Sequence, residues 1–348
     1  MLRTENKTVA AYPGLSNFLK QLDTINKQLR LSNKEDYIQQ KPQMIVHQSK
    51  IEEYLKILFH LNIHFDIPKG NNKIYKFTWL SRSKGSFTNQ SFYYEIGAMF
   101  YNYAAIYLTQ GLRLFQTQDP VSVKKSLQFF RSALWGFEEV PKCMVKCRST
   151  GMVPNELLPN EVQMLKALAE GLSYLVFYSL SKDKLDDQKK LALNQSISQN
   201  FSRVLKCISE SNLKGKQFRD FNSLKTLVED HYYYHLSKVL VYEGKKYGSL
   251  HDDDMSSENI GKQLAVLKKL SDVHKRTAQA YQRLGVKKEE LEGLEVLVEK
   301  YPAIEKENKK VFKVREFKLE EVIEVKPFSP ALTSNQNPYI KQKDPKFS

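Results

Sequence analysis

One stretch of sequence decides the fold of this chain: Ser91-Phe-Tyr-Tyr-Glu-Ile-Gly-Ala-Met-Phe-Tyr-Asn-Tyr-Ala-Ala-Ile-Tyr-Leu-Thr-Gln-Gly111. Its apolar residues recur at helical spacing and form one broad stripe: Phe92, Ile96, Met99, Phe100, Tyr103, Ala104, Tyr107 and Leu108. Small residues such as Gly97 and Ala105 let neighbouring helices come close. The pattern predicts a long amphipathic helix, which the short β-favouring segment Phe77-Thr78-Trp79 precedes.

The composition indicates a folded and mostly helical protein. The chain has 348 residues, of which 41% are hydrophobic, so it can bury a large core in one extended domain or two compact ones. Only 14 Gly and 12 Pro are present. So few turn-forming residues over so long a body favour helices joined by short connections.

Helical periodicity recurs along most of the chain, and one segment alternates as a strand does. The strand is predicted at 73–79, and helices are predicted at 47–65, 91–115, 120–140, 160–181, 189–208, 218–247, 260–285 and 288–312. The predicted fold class is all-α, an elongated α-solenoid of antiparallel, tetratricopeptide-like helix pairs with a small β element near residues 73–79. Residues 1–325 form the predicted helical domain, and residues 326–348 a Pro- and polar-rich extended tail.

The chain is strongly basic, with a formal net charge of +15. Such a charge attracts an anionic lipid surface, nucleic acid or an acidic protein segment. The lysines and arginines are spread along predicted helix surfaces, which favours solvated helix faces over one dedicated patch. Nucleic acid is disfavoured, because the aromatic residues recur at helix-core spacing and not on strands or loops where bases stack.

Cysteine usage and hydropathy bear on the compartment. Three cysteines, Cys143, Cys147 and Cys207, cannot form a disulfide framework, which indicates a reducing, cytoplasmic environment. The N-terminus lacks the apolar segment of a signal peptide. The apolar run 94–108 is interrupted by Glu95 and is read as a core helix. Membrane association is therefore expected to be electrostatic or to occur through a partner.

Motifs of common enzymes are missing from the sequence. It contains no Gly-rich phosphate loop, dinucleotide-binding fingerprint, nucleophile elbow or zinc-protease motif. Two histidine pairs at i,i+4 spacing, His60 with His64 and His231 with His235, leave zinc open as an alternative to core or surface histidines. No third ligand is arranged near either pair, so we expect no metal. Because the motifs of common enzymes are missing, we expect no cofactor and no enzymatic activity.

The order of these segments resembles the Bro1 domain family. That family carries an F-T-W strand, a K-G-S turn and a helix of the form YE…LFN.AAL, which correspond here to Phe77–Trp79, Lys84–Ser86 and the helix from Tyr94. Later segments keep the family order, and the similarity covers roughly residues 10–325. The resemblance implies a curved helical rod, and the chain looks like the short members that consist of this domain alone.

The resemblance also implies a function, that of an ESCRT-associated adaptor at endosomal membranes. Its partner would be the C-terminal amphipathic helix of an ESCRT-III subunit of the Snf7/CHMP4 type, held by an apolar patch with a polar rim. Carried over one position at a time, the patch maps to Phe177, Leu193 and Phe87, and the rim maps to Lys124.

One position departs from the family pattern. A patch isoleucine aligns near Lys189-Lys190, and a lysine there weakens a purely apolar pocket. The residues alone also leave open that Phe177 and Leu193 are simply core residues. The second hypothesis for the function is a generic α-solenoid scaffold whose basic face binds anionic membrane or nucleic acid without an ESCRT-III partner.

Overall fold

The computed structural model describes residue 24 and residues 49–59, 77–81, 85–89, 91–147, 153–210, 219–248, 256–309 and 317–323. The described part is helical apart from one β hairpin, which confirms the all-α prediction and its small β element. The His60–His64 pair and the tail 326–348 lie outside the described residues. The elongated, curved shape and the boundary at residue 325 stay predictions.

The helices follow the order that the periodicity predicts. They are α1 (49–59), α2 (Phe92–Gln116), α3 (Pro120–Lys146), α4 (Pro159–Ser181), α5 (Asp187–Glu210), α6 (Arg219–Gly248), α7 (Ser257–Arg283), α8 (Lys288–Glu307) and the short α9 (Leu319–Val322). A single 3₁₀ turn, Asn155–Leu157, precedes α4. Helix ends agree with local chemistry: the Asp119 side chain accepts from the Ser122 N–H at 2.9 Å, and Pro120 occupies the first turn of α3.

The β element is a hairpin rather than one strand. β1 (Phe77–Ser81) pairs antiparallel with β2 (Gly85–Asn89), and Trp79 lies opposite Phe87. The predicted K-G-S turn is therefore wrong at its end, since Gly85 and Ser86 already belong to β2. Cross-strand pairs between large side chains stabilise such a ladder, and this signal outweighs the turn tendency of the glycine.

The described residues fall into two compact units, one up to Ser173 and one from Tyr174. In the first unit, α2 packs against α3 through an aromatic core in which Trp135 meets Phe100 edge-on at 5.3 Å. Glu95 does not mark an exposed position: it is buried, and its carboxylate accepts a hydrogen bond from the Tyr54 hydroxyl at 2.9 Å. A paired buried carboxylate is compatible with a core helix.

Close approach of α2 and α3 depends on glycine. A Cβ added at Gly136 would lie 2.8 Å from the Cβ of Ala104 and 3.2 Å from the carbonyl oxygen of Phe100. Both neighbours are fixed to the α2 backbone, so neither can rotate away. At Gly111 the added carbon would lie 2.6 Å from the Phe130 ring.

In the second unit, α5 packs on α6, α6 on α7, and α7 on α8. The apolar core between α6, α7 and α8 includes Leu240, Val266, Leu270 and Leu294, each 0% exposed. An ion pair adds to the α6–α7 contact, because Arg283 Nε donates to both carboxylate oxygens of Asp230 at 2.9 and 2.8 Å. Consecutive helices are thus neighbours in space, as the helix-pair prediction requires.

Gly136→Ala tests the close approach of α2 and α3. The added methyl overpacks the contact by about 1–3 kcal/mol, against a gain of about 1 kcal/mol in helix propensity, so we expect a net loss of stability. Gly293→Ala in α8 is the matched control, since nothing lies within 4 Å of its added carbon. It should raise the unfolding free energy by about 0.5–1 kcal/mol. Urea unfolding measures both, and equal gains in the two variants would contradict the packing argument.

Candidate functional site

A surface cleft of about 400 Å³ opens in the second unit, where the end of α4, the start of α5 and the middle of α6 meet. Tyrosine and lysine side chains dominate its lining. The lining residues are Tyr178, Lys182, Asp183, Asp187, Lys190, Leu191, Asn194, Tyr234, Lys238 and Tyr242.

A buried hydrogen bond fixes one wall of the cleft. The Asn194 side-chain N–H donates to the Lys190 carbonyl at 2.7 Å, one turn earlier on α5. Its amide oxygen lies 2.6 Å from Nδ1 of His235 on α6, and His235 is 1% exposed. An amide oxygen only accepts, so Nδ1 of His235 carries the proton. Its Nε2 is then an unprotonated acceptor with no hydrogen-bond partner among the described residues.

Aromatic rings hold His235 and a nearby ammonium in place. Tyr178 and Tyr234 both meet the imidazole edge-on, with ring centroids 5.2 and 4.9 Å away. Nζ of Lys238 lies over the ring of Tyr234 at 5.3 Å and over that of Tyr281 at 5.8 Å. Cation–π contacts of this kind attract an ammonium to the faces of the rings. The cleft therefore has a rigid wall with one positive charge fixed on it.

The lysines of the α4–α5 connection differ in role. Asp186 caps α5 by accepting the Lys189 N–H at 2.8 Å, and the Lys189 ammonium lies 2.7 Å from the same carboxylate. These two contacts hold the pKa of Asp186 below its ordinary value. Lys190 instead lines the cleft, and its ammonium is 3.6 Å from Asp187. Lys189 is thus engaged at the helix cap, whereas Lys190 belongs to the cleft.

The two α6 histidines are neutral at physiological pH. Burial lowers the pKa of His231 to about 4, against a smaller opposing effect of Asp230. Burial, followed by the neighbouring His231 and Lys238, lowers the pKa of His235 well below its usual range. The two rings stack with centroids 6.0 Å apart. Within the described residues, no group of three His, Cys, Asp or Glu side chains is placed to hold a metal ion.

The four predicted site residues fall two in each unit. Phe177 is half-buried on α4 and directly precedes Tyr178 of the cleft, although it does not line the cleft itself. Phe87 is half-buried on β2, and Lys124 is exposed on α3. Leu193 is 0% exposed on α5, so its side chain packs inside the unit and offers no surface to a partner in this conformation. Partner binding by all four residues stays a prediction.

Sequence reasoning missed most of the cleft. Asn194 carried a usable signal, because it is a polar residue between the apolar Leu193 and Ile197 on the buried face of α5. Lys238 follows His235 by three residues and therefore shares its helix face. The pairing of α5 with α6 could not be read from either helix alone. The Lys189-Lys190 departure from the family pattern did point to this position.

The hydropathy of the described helices bears on membrane insertion. None of them combines the length and the apolar character needed to cross a bilayer.

Fold and cleft together define a mainly helical domain with a small β hairpin and a surface cleft. The profile of the BRO1-like domain matches residues 12–346. This chain belongs to the BRO1-like domain family, which confirms the family resemblance. No curated protein sequence matches it significantly.

Solved structures share the fold at low sequence identity. A complex of the ALIX Bro1 domain with CHMP4C gives a TM-score of 0.60 at 13% identity and covers 94% of this chain and 91% of that one. ALIX in complex with the SIVmac239 PYKEVTEDL late domain gives 0.57 at 14% identity and covers 89% of this chain and 42% of that one. A Bro1 domain described for endosomal targeting gives 0.54 at 14% identity, with 94% and 85% covered.

The neutral histidines predict a pH-dependent stability. Unfolded His231 takes up a proton near pH 6.5, whereas the folded side chain does so only near pH 4. The unfolding free energy therefore falls as pH drops through this window, by roughly 1–2 kcal/mol between pH 7.5 and 5 for such a group. His231→Gln should remove that share of the pH dependence. Urea unfolding at several pH values measures it, and identical pH profiles for the variant and the parent protein would contradict the assignment.

Proposed function

We propose that this chain is a non-enzymatic adaptor that binds the C-terminal amphipathic helix of a Snf7/CHMP4-type ESCRT-III subunit at endosomal membranes. The observation that carries the proposal is a partly exposed apolar pair at the end of α4. Phe177 is half-buried and Leu180 is 39% exposed, and their i,i+3 spacing makes them neighbours on one helix face. They lie beside the cleft that Tyr178 lines.

Such a surface suits helix-in-groove recognition. Two or three apolar anchors of the incoming helix pack on a small apolar area, and polar groups around it set the register. Here the Phe177–Leu180 pair offers the apolar area, and the cleft lysines offer the polar rim. The family relationship supports this assignment, because the ALIX Bro1 domain has been solved with CHMP4C bound. Endosomal location draws support from the Bro1 domain described for endosomal targeting.

The alternative, a basic scaffold for anionic membrane or nucleic acid, has less structural support. Three of the cations on α7 are engaged within the protein. Arg283 pairs with Asp230, Lys262 lies 2.5 Å from Glu258, and the Arg276 guanidinium is held by the Tyr233 hydroxyl and ring. Cations held in this way have fewer donors left for direct contact with a lipid or nucleic-acid phosphate.

Phe177→Asp tests the apolar pair as the docking surface. A half-buried side chain leaves the new carboxylate access to water in the free protein, so we expect a folded variant. On binding, the carboxylate would be buried without a partner, and affinity for a CHMP4-type C-terminal peptide should fall by about 100-fold or more. Peptide binding by calorimetry and thermal melting are measured on the same sample.

Two control variants and one alternative variant complete this test. Leu193→Asp places a charge at a fully buried position and should unfold the second unit, whereas Val296→Asp on α8, where the valine is 51% exposed, should change neither melting nor binding. If Phe177→Asp unfolds, Leu180→Asp examines the same surface at a more exposed position. Normal binding by a folded Phe177→Asp or Leu180→Asp variant would refute this docking surface.

A further inference from the structure

We propose that the cleft receives a carboxylate side chain of the bound helix, so that this chain selects an acidic amphipathic helix where the family pattern has an apolar pocket. The inference rests on the proposed function and specifies the chemistry of the partner. It starts from the position near which the family isoleucine aligns, where Lys190 lines the cleft.

The cleft has more positive than negative charge, and its charged side chains differ in their exposure to solvent. Three lysines line it, Lys182, Lys190 and Lys238, against the carboxylates of Asp183 and Asp187. Both aspartates are exposed, whereas Lys190 and Lys238 are half-buried. Charges that are partly removed from water act more strongly than exposed ones, because water screens them less. An incoming anion therefore meets the lysines as the dominant charges.

Lys190 is the receptor for the carboxylate, and Lys238 adds a second positive charge to the cleft. The Lys238 ammonium is positioned by the rings of Tyr234 and Tyr281, at 5.3 and 5.8 Å. Lys190 faces the same cleft with its ammonium 3.6 Å from Asp187, a long contact that a closer carboxylate can replace.

The neutral wall of the cleft favours this arrangement. His235 adds no positive charge, because burial keeps its imidazole unprotonated at Nε2 and its Nδ1–H is held by Asn194. Selectivity for an anion therefore depends on the lysines. The three lysines of the cleft exceed its two aspartates by one positive charge. One carboxylate carries a single negative charge and therefore matches that excess. A phosphate group of charge about −2 would bring more repulsion from Asp183 and Asp187.

Neighbouring residues 189 and 190 provide the test. Two synthetic amphipathic helices with the same leucine face are compared, one with Glu and one with Lys at the edge of that face. The protein should bind the Glu helix about tenfold more tightly, as expected for a partly desolvated charge pair. Lys190→Glu should reverse the preference, whereas Lys189→Glu, which alters the cap with Asp186 outside the cleft, should keep it. Lys190→Ile should abolish the preference while retaining binding.

Each outcome distinguishes the two proposals. Reversal in Lys190→Glu alone supports a carboxylate in the cleft. If both helices bind equally well to the parent protein, or if the 189 and 190 variants behave alike, the inference is overturned while helix binding stands. If neither helix nor the CHMP4-type peptide binds to the folded parent protein, the proposed function fails, and the inference fails with it. Thermal melting of each variant ensures that folded proteins are compared.

Discussion

The hydrogen bond between His235 Nδ1 and Asn194 Oδ1 ties α6 to α5, and the geometry of the cleft depends on it. It is short, buried and formed between two side chains that would each be costly to leave unpaired. The same amide donates to the Lys190 carbonyl, so one asparagine links the cleft lysine's own backbone to the neighbouring helix. Tyr178 and Tyr234 then pack against an imidazole whose position is already fixed. Without this contact, α5 and α6 would no longer be held together at the cleft, and its walls would lose their fixed relative positions.

Much of the fold was predictable from periodicity, because each helix carries its own apolar stripe. The residues that broke a stripe were harder to interpret. Glu95 looked like an interruption of the apolar stripe, yet its carboxylate accepts a hydrogen bond from Tyr54 in the core. Nothing in the sequence around Glu95 identifies that distant partner. Asn194 is similar, since its partner lies 41 residues away on another helix. Buried polar residues are explained by tertiary pairing, which a single periodic pattern does not contain.

The candidate site was predictable only in part, for the same physical reason. A family correspondence brought Phe177 and Leu193 forward together, although the structure leaves the first half-buried and encloses the second completely. Neighbouring helical positions have very different exposure, and a small uncertainty in alignment moves a residue from surface to core. The lysine pair at 189 and 190 shows the same sensitivity, because one residue serves the helix cap and the next one faces the cleft.

The contact between Gly136 and Ala104 has a consequence for how relatives of this chain vary. The space between α2 and α3 at this point holds one methyl group, which Ala104 supplies. The same added carbon would also lie 3.2 Å from the Phe100 carbonyl oxygen, so glycine in place of Ala104 would not make full room for a side chain at 136. Relatives that keep the same helix spacing are therefore expected to keep glycine at this position. Where both positions carry larger residues, α2 and α3 must lie further apart, and the aromatic core around Trp135 must be rebuilt to fill the gap.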